Sequence, residues 1–220
     1  MWEVFLYINP LCSFCLKVEQ SIIDFTRKNN IDTQYHFVTT SNMETINDYM
    51  ILKGMKPCDL EGRIGVTQDV YDASLLYKAA ACQGNKKARN LLMNLQQEVN
   101  TNQRPYNDET IKLAVEKSGL DYKAIMTEKS GDAVKEAVKK DQELACKMHV
   151  EKAPTVIVFD DEDPTKPGVM INQFGSETSE EIINENLIAM LEKTMPHQIS
   201  EPKSKYYTND SIINIERYRR

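Results

Sequence analysis

The chain reads as two strand-bearing ends held apart by roughly a hundred residues of helical periodicity, and that interruption restricts its fold more than any other feature. At the first end, residues 2–8 (WEVFLYI) form a strand that Asn9-Pro10 punctuates. From Ser13 to about Asn29, Val18, Ile22 and Phe25 recur at helical spacing, with Glu19, Asp24 and Lys28 on other faces. Residues 32–40 (DTQYHFVTT) are rich in β-formers and alternate from Tyr35 through Phe37. Strand, helix and strand in this length make one βαβ unit with a parallel pair.

The next stretch changes period. Ala73, Leu76, Tyr77 and Ala80 share a helical face, Gly84 reads as a stop, and Ala88, Leu91, Leu92, Leu95 and Val99 repeat the pattern over three turns. Pro105 separates a further helix, capped near Asn107 or Asp108 and ended around Gly119. A helix over about 130–149 carries Val134, Ala137, Val138, Ala145 and Met148. Strand character then returns at Thr155–Phe159, an acidic turn containing proline follows, and GVMINQFG at 168–175 reads as a hairpin partner. Thr178 and Glu181 form a capping box for a last helix with Ile183, Leu187, Met190 and Leu191 inward. The expected organisation is a first half at 1–42, a helical insertion at 43–129, a second half at 130–195 and a tail at 196–220.

The tail has five basic and three acidic residues, a net +2 against −8 for the rest of the chain. Its Tyr206, Tyr207, Ile212, Ile213, Ile215 and Tyr218 are too apolar for a solvated linker, so it is expected to dock on the helical region, on a second copy or on a partner, its positive charge beside an acidic body favouring the first two. The formal charge of −6 gives no electrostatic reason for a nucleic-acid or anionic-membrane partner. The longest apolar run, TVIVF at 155–159, is far short of the roughly 20 residues a membrane helix needs. MWEVFLYI has neither a basic leader nor a cleavage signature, and five cysteines, an odd number, do not form a secreted disulfide framework. A cytoplasmic protein is expected.

The chemistry lies in NPLCSFC at 9–15. A strand feeding a helix through Cys-x-x-Cys puts Cys12 at an exposed helix N-terminus, where free backbone N–H groups and the helix dipole stabilise a thiolate. Cys15, one turn on, is placed to resolve a mixed disulfide formed at Cys12. No cation stands between them, so the thiolate relies on the helix terminus and the Ser13 hydroxyl, and a reducing potential of about −270 mV is expected rather than about −120 mV. Cys58, Cys82 and Cys146 are scattered and His36, His149 and His197 do not pair at ligand spacing, so neither a metal nor a cofactor is expected. The three lone cysteines read as small buried hydrophobes, Cys58 being the one expected nearest the surface.

Taken together, these elements resemble the DsbA-like branch of the thioredoxin superfamily, an α/β thioredoxin-like fold with an inserted all-helical domain. INPLCSFCLKVEQSI, ASLLYKAAACQGNKKARNLLMNLQQ and VEKAPTVIVF are most similar to a family of Gram-positive protease adapters within that branch. The resemblance implies binding to the stress regulator Spx and its delivery to the ClpXP protease; the alternative it leaves open is thiol–disulfide exchange on protein disulfides. It implies Cys12 and Cys15 as the catalytic pair. Ala153, Pro154 and Thr155, with Ser13 and Phe14, are the residues expected to contact substrate, Pro154 being read as a cis proline or as an ordinary trans proline at a strand start.

Overall fold

The computed structural model of the protein describes residues 1–160, 168–172 and 174, and residues 212–215 as backbone. In chain order these form β1 (Trp2–Ile8), α1 (Ser13–Lys28), β2 (Thr33–Thr39), α2 (Met43–Leu52), α3 (Leu60–Ala81) and α4 (Asn85–Asn100). There follow α5 (Asp108–Lys117), α6 (Tyr122–Lys129), α7 (Asp132–Lys147), β3 (Thr155–Asp160), β4 (Gly168–Ile171) and β5 (Ile212–Ile215). The helix read over 178–191 and the turn after β3 lie outside the described residues.

The strands form one sheet in the order β2-β1-β3-β4-β5. The Trp2 N–H donates to the Asp32 carbonyl (2.7 Å) where β1 and β2 begin, and Thr40 N–H donates to Ile8 (2.9 Å) where they end, so the two run the same way. β3 lies antiparallel to β1, with Trp2 opposite Asp160 and Tyr7 opposite Thr155. Every residue of β3 is buried, which is why TVIVFD reads as an unbroken apolar run ending in one acid. The β3–β4 pairing is tight because Gly168 has no side chain: a Cβ there would stand 2.3 Å from the Phe159 ring.

Contact density divides the chain into two compact units. The first comprises Met1–Tyr7, Lys17–Phe37 and Pro154–Arg220. In its core Trp2 stacks on Phe25 of α1 at 6.5 Å between ring centroids, and Phe5 stacks on His36 at 4.5 Å and meets Phe159 edge-on. Val18 and Ile22 are buried with them, as helical spacing requires.

The second unit comprises Ile8–Leu16 and Val38–Ala153. Its core is built from the predicted stripes: Ala73, Leu76 and Ala80 of α3, and Ala88, Leu91, Leu92, Leu95 and Val99 of α4, are buried. At roughly 1.5–3 kcal/mol per large aliphatic side chain, α4 alone supplies much of what holds this unit together. A buried polar knot adds specificity. Asp141 of α7 accepts from the Thr39 N–H (2.7 Å), the Thr39 hydroxyl (3.0 Å) and the Lys78 ammonium (2.7 Å). Gln142 beside it accepts from Ser41 N–H (3.3 Å) and donates to the Thr39 carbonyl (3.2 Å).

Several expectations change. α3 begins thirteen residues before Ala73, at Leu60, where the Asp59 carboxylate accepts the Gly62 N–H at 3.0 Å. α2 and α6 have no counterpart in the periodicity reading: both are short, α2 buries Thr45, Ile46, Tyr49 and Met50 but leaves Met43, Ile51 and Leu52 exposed so that no clean stripe shows, and among α6 residues only Ile125 is buried. Gly84 follows the end of α3 as expected, its N–H donating to the Ala81 carbonyl (3.0 Å), and is in addition the N-cap of α4 at φ 119°. Cys82 and Cys146 are exposed along with Cys58, correcting the expectation of burial. Cys82 caps the end of α3, and Cys146 is a step past the buried face of α7 that Val138, Asp141 and Ala145 define. Of the tail, only residues 212–215 are among those described, and they extend the sheet, with Ile212 opposite Ile171 and Ile215 opposite Gly168. β4, a sheet edge without them, is thereby covered.

Candidate functional site

Asn9 shapes the loop that carries the thiols. Its side-chain oxygen accepts the Leu11 N–H (3.0 Å) and its backbone carbonyl accepts the Cys12 N–H (3.1 Å), so the chain turns within three residues of β1. Cys12 is the N-cap of α1: its own carbonyl takes the first helical bond, from Leu16 N–H at 3.4 Å. The loop is also held from outside. Asn100, the last residue of α4, donates its amide to the Leu11 carbonyl (2.9 Å) and to the Gln96 carbonyl one turn back (2.8 Å). One asparagine thus ties the end of a helix in the insertion to the peptide bond preceding the first thiol.

Both thiols are reduced and buried, Cys12 at 5% exposure and Cys15 at 0%. Cys12 was expected at an exposed helix end, and its burial is a correction. Burial by itself would raise a thiol's pKa, yet Cys12 is lowered to about 7 from an ordinary 9.0. The largest cause is a hydrogen bond from the Cys15 thiol, followed by backbone N–H groups of Cys15 and Phe14, against which burial and the Asp48 carboxylate act. The Ser13 hydroxyl was expected to share this work, and the larger part falls to Cys15. At neutral pH a thiol so placed is about half ionised.

α2 supplies surroundings that sequence reasoning missed. Its N-cap is a reciprocal box in which Asn42 accepts the Thr45 N–H (2.8 Å) and the Thr45 hydroxyl accepts the Asn42 N–H (2.8 Å). The helix so started carries Asp48, Tyr49 and, at its C-cap, Lys53. Burial and then the Cys12 thiolate push the Tyr49 phenol up. Desolvation pulls the Lys53 ammonium down while Cys12 opposes it, and the same ammonium donates to the Val99 carbonyl at 3.3 Å. The signal was present in SNMET at 41–45, a cap and its partner three residues on, but Thr in place of Glu or Gln disguised it.

The other predicted residues divide. Ser13 and Phe14 open α1 between the cysteines, Phe14 being buried. Ala153 closes the second unit, whereas Pro154 and Thr155 belong to the first, where Thr155 is buried and pairs with Tyr7. Among the described residues no cluster of three or more His, Cys, Asp or Glu could hold a metal ion, and no helix is long and apolar enough to cross a membrane.

A strand, a helix-capped dithiol, a parallel strand, six helices and then an antiparallel pair define the thioredoxin-like class with a DsbA-like helical insertion. The chain matches the thioredoxin family over residues 5–181 and belongs to it. Its fold is similar to that of the oxidoreductase DsbA from Xylella fastidiosa, with a TM-score of 0.55 at 12% identity over 87% of this chain and 85% of that one. It is also similar to proteins named ClpXP adapter protein SpxH. The one from Staphylococcus haemolyticus is 23% identical over 216 residues, covering 97% of this chain and 76% of that protein. The one from Staphylococcus saprophyticus is 24% identical over 152 residues, covering 68% of this chain and 58% of that protein. The chain therefore spans a little over half of the latter's length.

Proposed function

We propose that the protein is a cytoplasmic adapter of the SpxH type, binding an Spx-type stress regulator and promoting its degradation by ClpXP. The observation that carries this reading is the reach of the similarity: it extends over 97% of the chain, across helices that dithiol chemistry alone does not require. Docking depends on surface complementarity and not on thiolate chemistry, so the Cys12→Ser, Cys15→Ser double variant is expected to bind the regulator and hasten its proteolysis as the parent chain does. Reconstituted ClpXP degradation of purified Spx, with and without the adapter, tests it. A folded double variant that neither binds Spx nor affects its turnover would end the view of the thiols as bystanders.

A second reading is favoured by the Cys12 thiol itself, lowered to about 7 by a partner thiol one turn away. In it, the Cys12 thiolate attacks one sulfur of a protein disulfide, and the other sulfur leaves with the bonding pair and takes a proton. Cys15 then loses its proton and attacks the Cys12 sulfur, releasing the second substrate thiol and leaving the chain oxidised, so that a dithiol reductant must restore it. Pro154, with Ala153 and Thr155, aligns the substrate backbone. A thiol near 7 resembles thioredoxin's more than the strongly oxidising value near 3.5, which supports a reducing direction. Insulin-disulfide reduction with dithiothreitol as terminal reductant separates this reading from the first.

A further inference from the structure

Tyr49 of α2 is a buried ring with an unused donor at its tip. The residue is 6% exposed, yet its hydroxyl makes no hydrogen bond among the described residues, and its oxygen is not one of the buried polar atoms left unpaired. The body of the side chain is therefore packed while its polar end reaches the surface. A donor so placed bonds to water until another acceptor displaces it.

The contacts around α2 put this donor at the dithiol. Asn42, the N-cap, donates its amide to the Glu151 carbonyl at 2.7 Å, which ties the helix to the segment leading to Ala153. At the other end Gly54, at φ 71°, lets the Met55 N–H reach back to the Met50 carbonyl (2.8 Å), and this cap fixes Lys53. The Lys53 ammonium lies 5.7 Å from the centroid of the Tyr49 ring and donates to the Val99 carbonyl at 3.3 Å. The next residue, Asn100, holds the Leu11 carbonyl beside Cys12 at 2.9 Å. The ring thus lies by the loop that carries the first thiol, and the phenol responds to it: after burial, the charges of Cys12 and then Asp69 raise it. Raised in this way, the phenol keeps its proton throughout the range in which Cys12 ionises and stays a donor. It is not bonded to the Cys12 sulfur itself, so it remains open to a second sulfur brought there by exchange.

We propose that Tyr49 is a further catalytic residue of thiol–disulfide exchange, its hydroxyl donating to the substrate sulfur that is joined to Cys12 in the mixed disulfide. The proposal deepens the exchange reading and rests on it. When Cys15 attacks the Cys12 sulfur, the bond from Cys12 to the substrate breaks and its electron pair leaves on the substrate sulfur. The hydroxyl bonds more strongly to that growing charge, and the thiolate then takes its proton from water while Tyr49 keeps its own. Such help matters most for a basic leaving sulfur and little for one that is already a good leaving group.

The test uses the full chain with the exposed Cys58, Cys82 and Cys146 replaced by serine, so that only the pair reacts. The reduced chain, with and without Tyr49→Phe, is mixed with excess glutathione disulfide or with the aromatic disulfide of nitrothiobenzoate, whose thiol is far less basic. Samples are quenched with acid at intervals, and decay of the mixed disulfide at Cys12 is followed by mass spectrometry. Phenylalanine keeps the ring, and the hydroxyl it removes holds nothing in the fold, so circular dichroism and thermal melting are expected to match. Release of glutathione should slow by roughly tenfold, and release of nitrothiobenzoate by less than about twofold. Unchanged release of both would show that the hydroxyl touches no reacting sulfur, and equal slowing of both would make Tyr49 a structural residue. Either result overturns the proposal and leaves the exchange reading standing. If the chain that retains Tyr49 releases neither thiol, the exchange reading falls and the proposal with it.

Discussion

Replacing Cys15 by alanine removes the largest of the influences that lower the Cys12 thiol while leaving its burial in place. The shift to be undone runs from 9.0 to about 7, and the backbone N–H groups of Phe14 and Cys15 survive the substitution, so recovery is partial: a rise of between one and two pH units is expected. At pH 7 the thiolate fraction then falls from about one half to between roughly 10% and 1%, and reaction with iodoacetamide slows by about 5- to 50-fold. Cys58, Cys82 and Cys146 are exposed and would dominate a bulk measurement, so the assay follows the Cys12 peptide by mass spectrometry across pH 5.5–10 (a range of about 4.5 units, chosen to bracket both values). Burial limits reagent access and so scales the absolute rate, but it is common to parent and variant, so the midpoint is the quantity compared. The same shift has a thermodynamic face. Between pH 7 and 9 unfolded Cys12 keeps its proton and folded Cys12 has released it, so the reduced protein gains stability as pH rises through that window and loses it as pH falls through 7. Cys15→Ala should flatten that rise in urea unfolding. A midpoint that stays near 7 in the variant would refute the reasoning.

Asn100→Leu removes both amide donations while keeping the side-chain volume. Leaving the Leu11 carbonyl without its donor should cost about 1–3 kcal/mol and raise the Cys12 midpoint, and a lower melting temperature with an unmoved midpoint would reduce Asn100 to a structural role. Asp141→Asn leaves the Lys78 ammonium, 17% exposed, without its counter-charge and is expected to destabilise by about 2–4 kcal/mol in denaturant unfolding. Adding Lys78→Met should restore part of that loss, and strict additivity of the two changes would mean that the pair does not interact.

The strands at 2–8 and 155–159, the dithiol at a helix start and the faces of α3 and α4 were legible in the sequence because each is a local period or a local cap. What was not legible depends on where distant segments come together. Nothing in EVNTN tells that Asn100 holds the loop before Cys12, since a C-terminal asparagine reads equally well as a simple helix end. Cys12 was placed correctly at the start of α1 and wrongly at the surface: capping position follows from neighbours in sequence, whereas burial follows from what packs above it. α2 escaped because its box uses Asn42 and Thr45 and its outward side keeps Ile51 and Leu52, so no clean stripe marks it. Leu60 and Ile64 blurred the start of α3 in the same way, and the side chains that hid the helix boundary are those left open on its surface.

β1 lies inside the sheet, with one neighbour drawn from residues 33–39 and the other from residues 155–160. During synthesis the first neighbour arrives almost at once, and the second only after all six helices from α2 to α7 have left the ribosome. Those helices rest on contacts within short reach and can form as they emerge, while β1 keeps one apolar edge unpaired throughout. Closing the sheet means joining Trp2 to Asp160 across the largest loop among the described strand pairings, an entropic cost met only once the intervening bundle has shortened the distance. Among the described strands β1 is thus the one that waits longest for its second partner. A defect in the helices would then show itself as a nascent chain with a bare strand edge, open to pairing with another chain, before it showed itself as a protein with altered thiols.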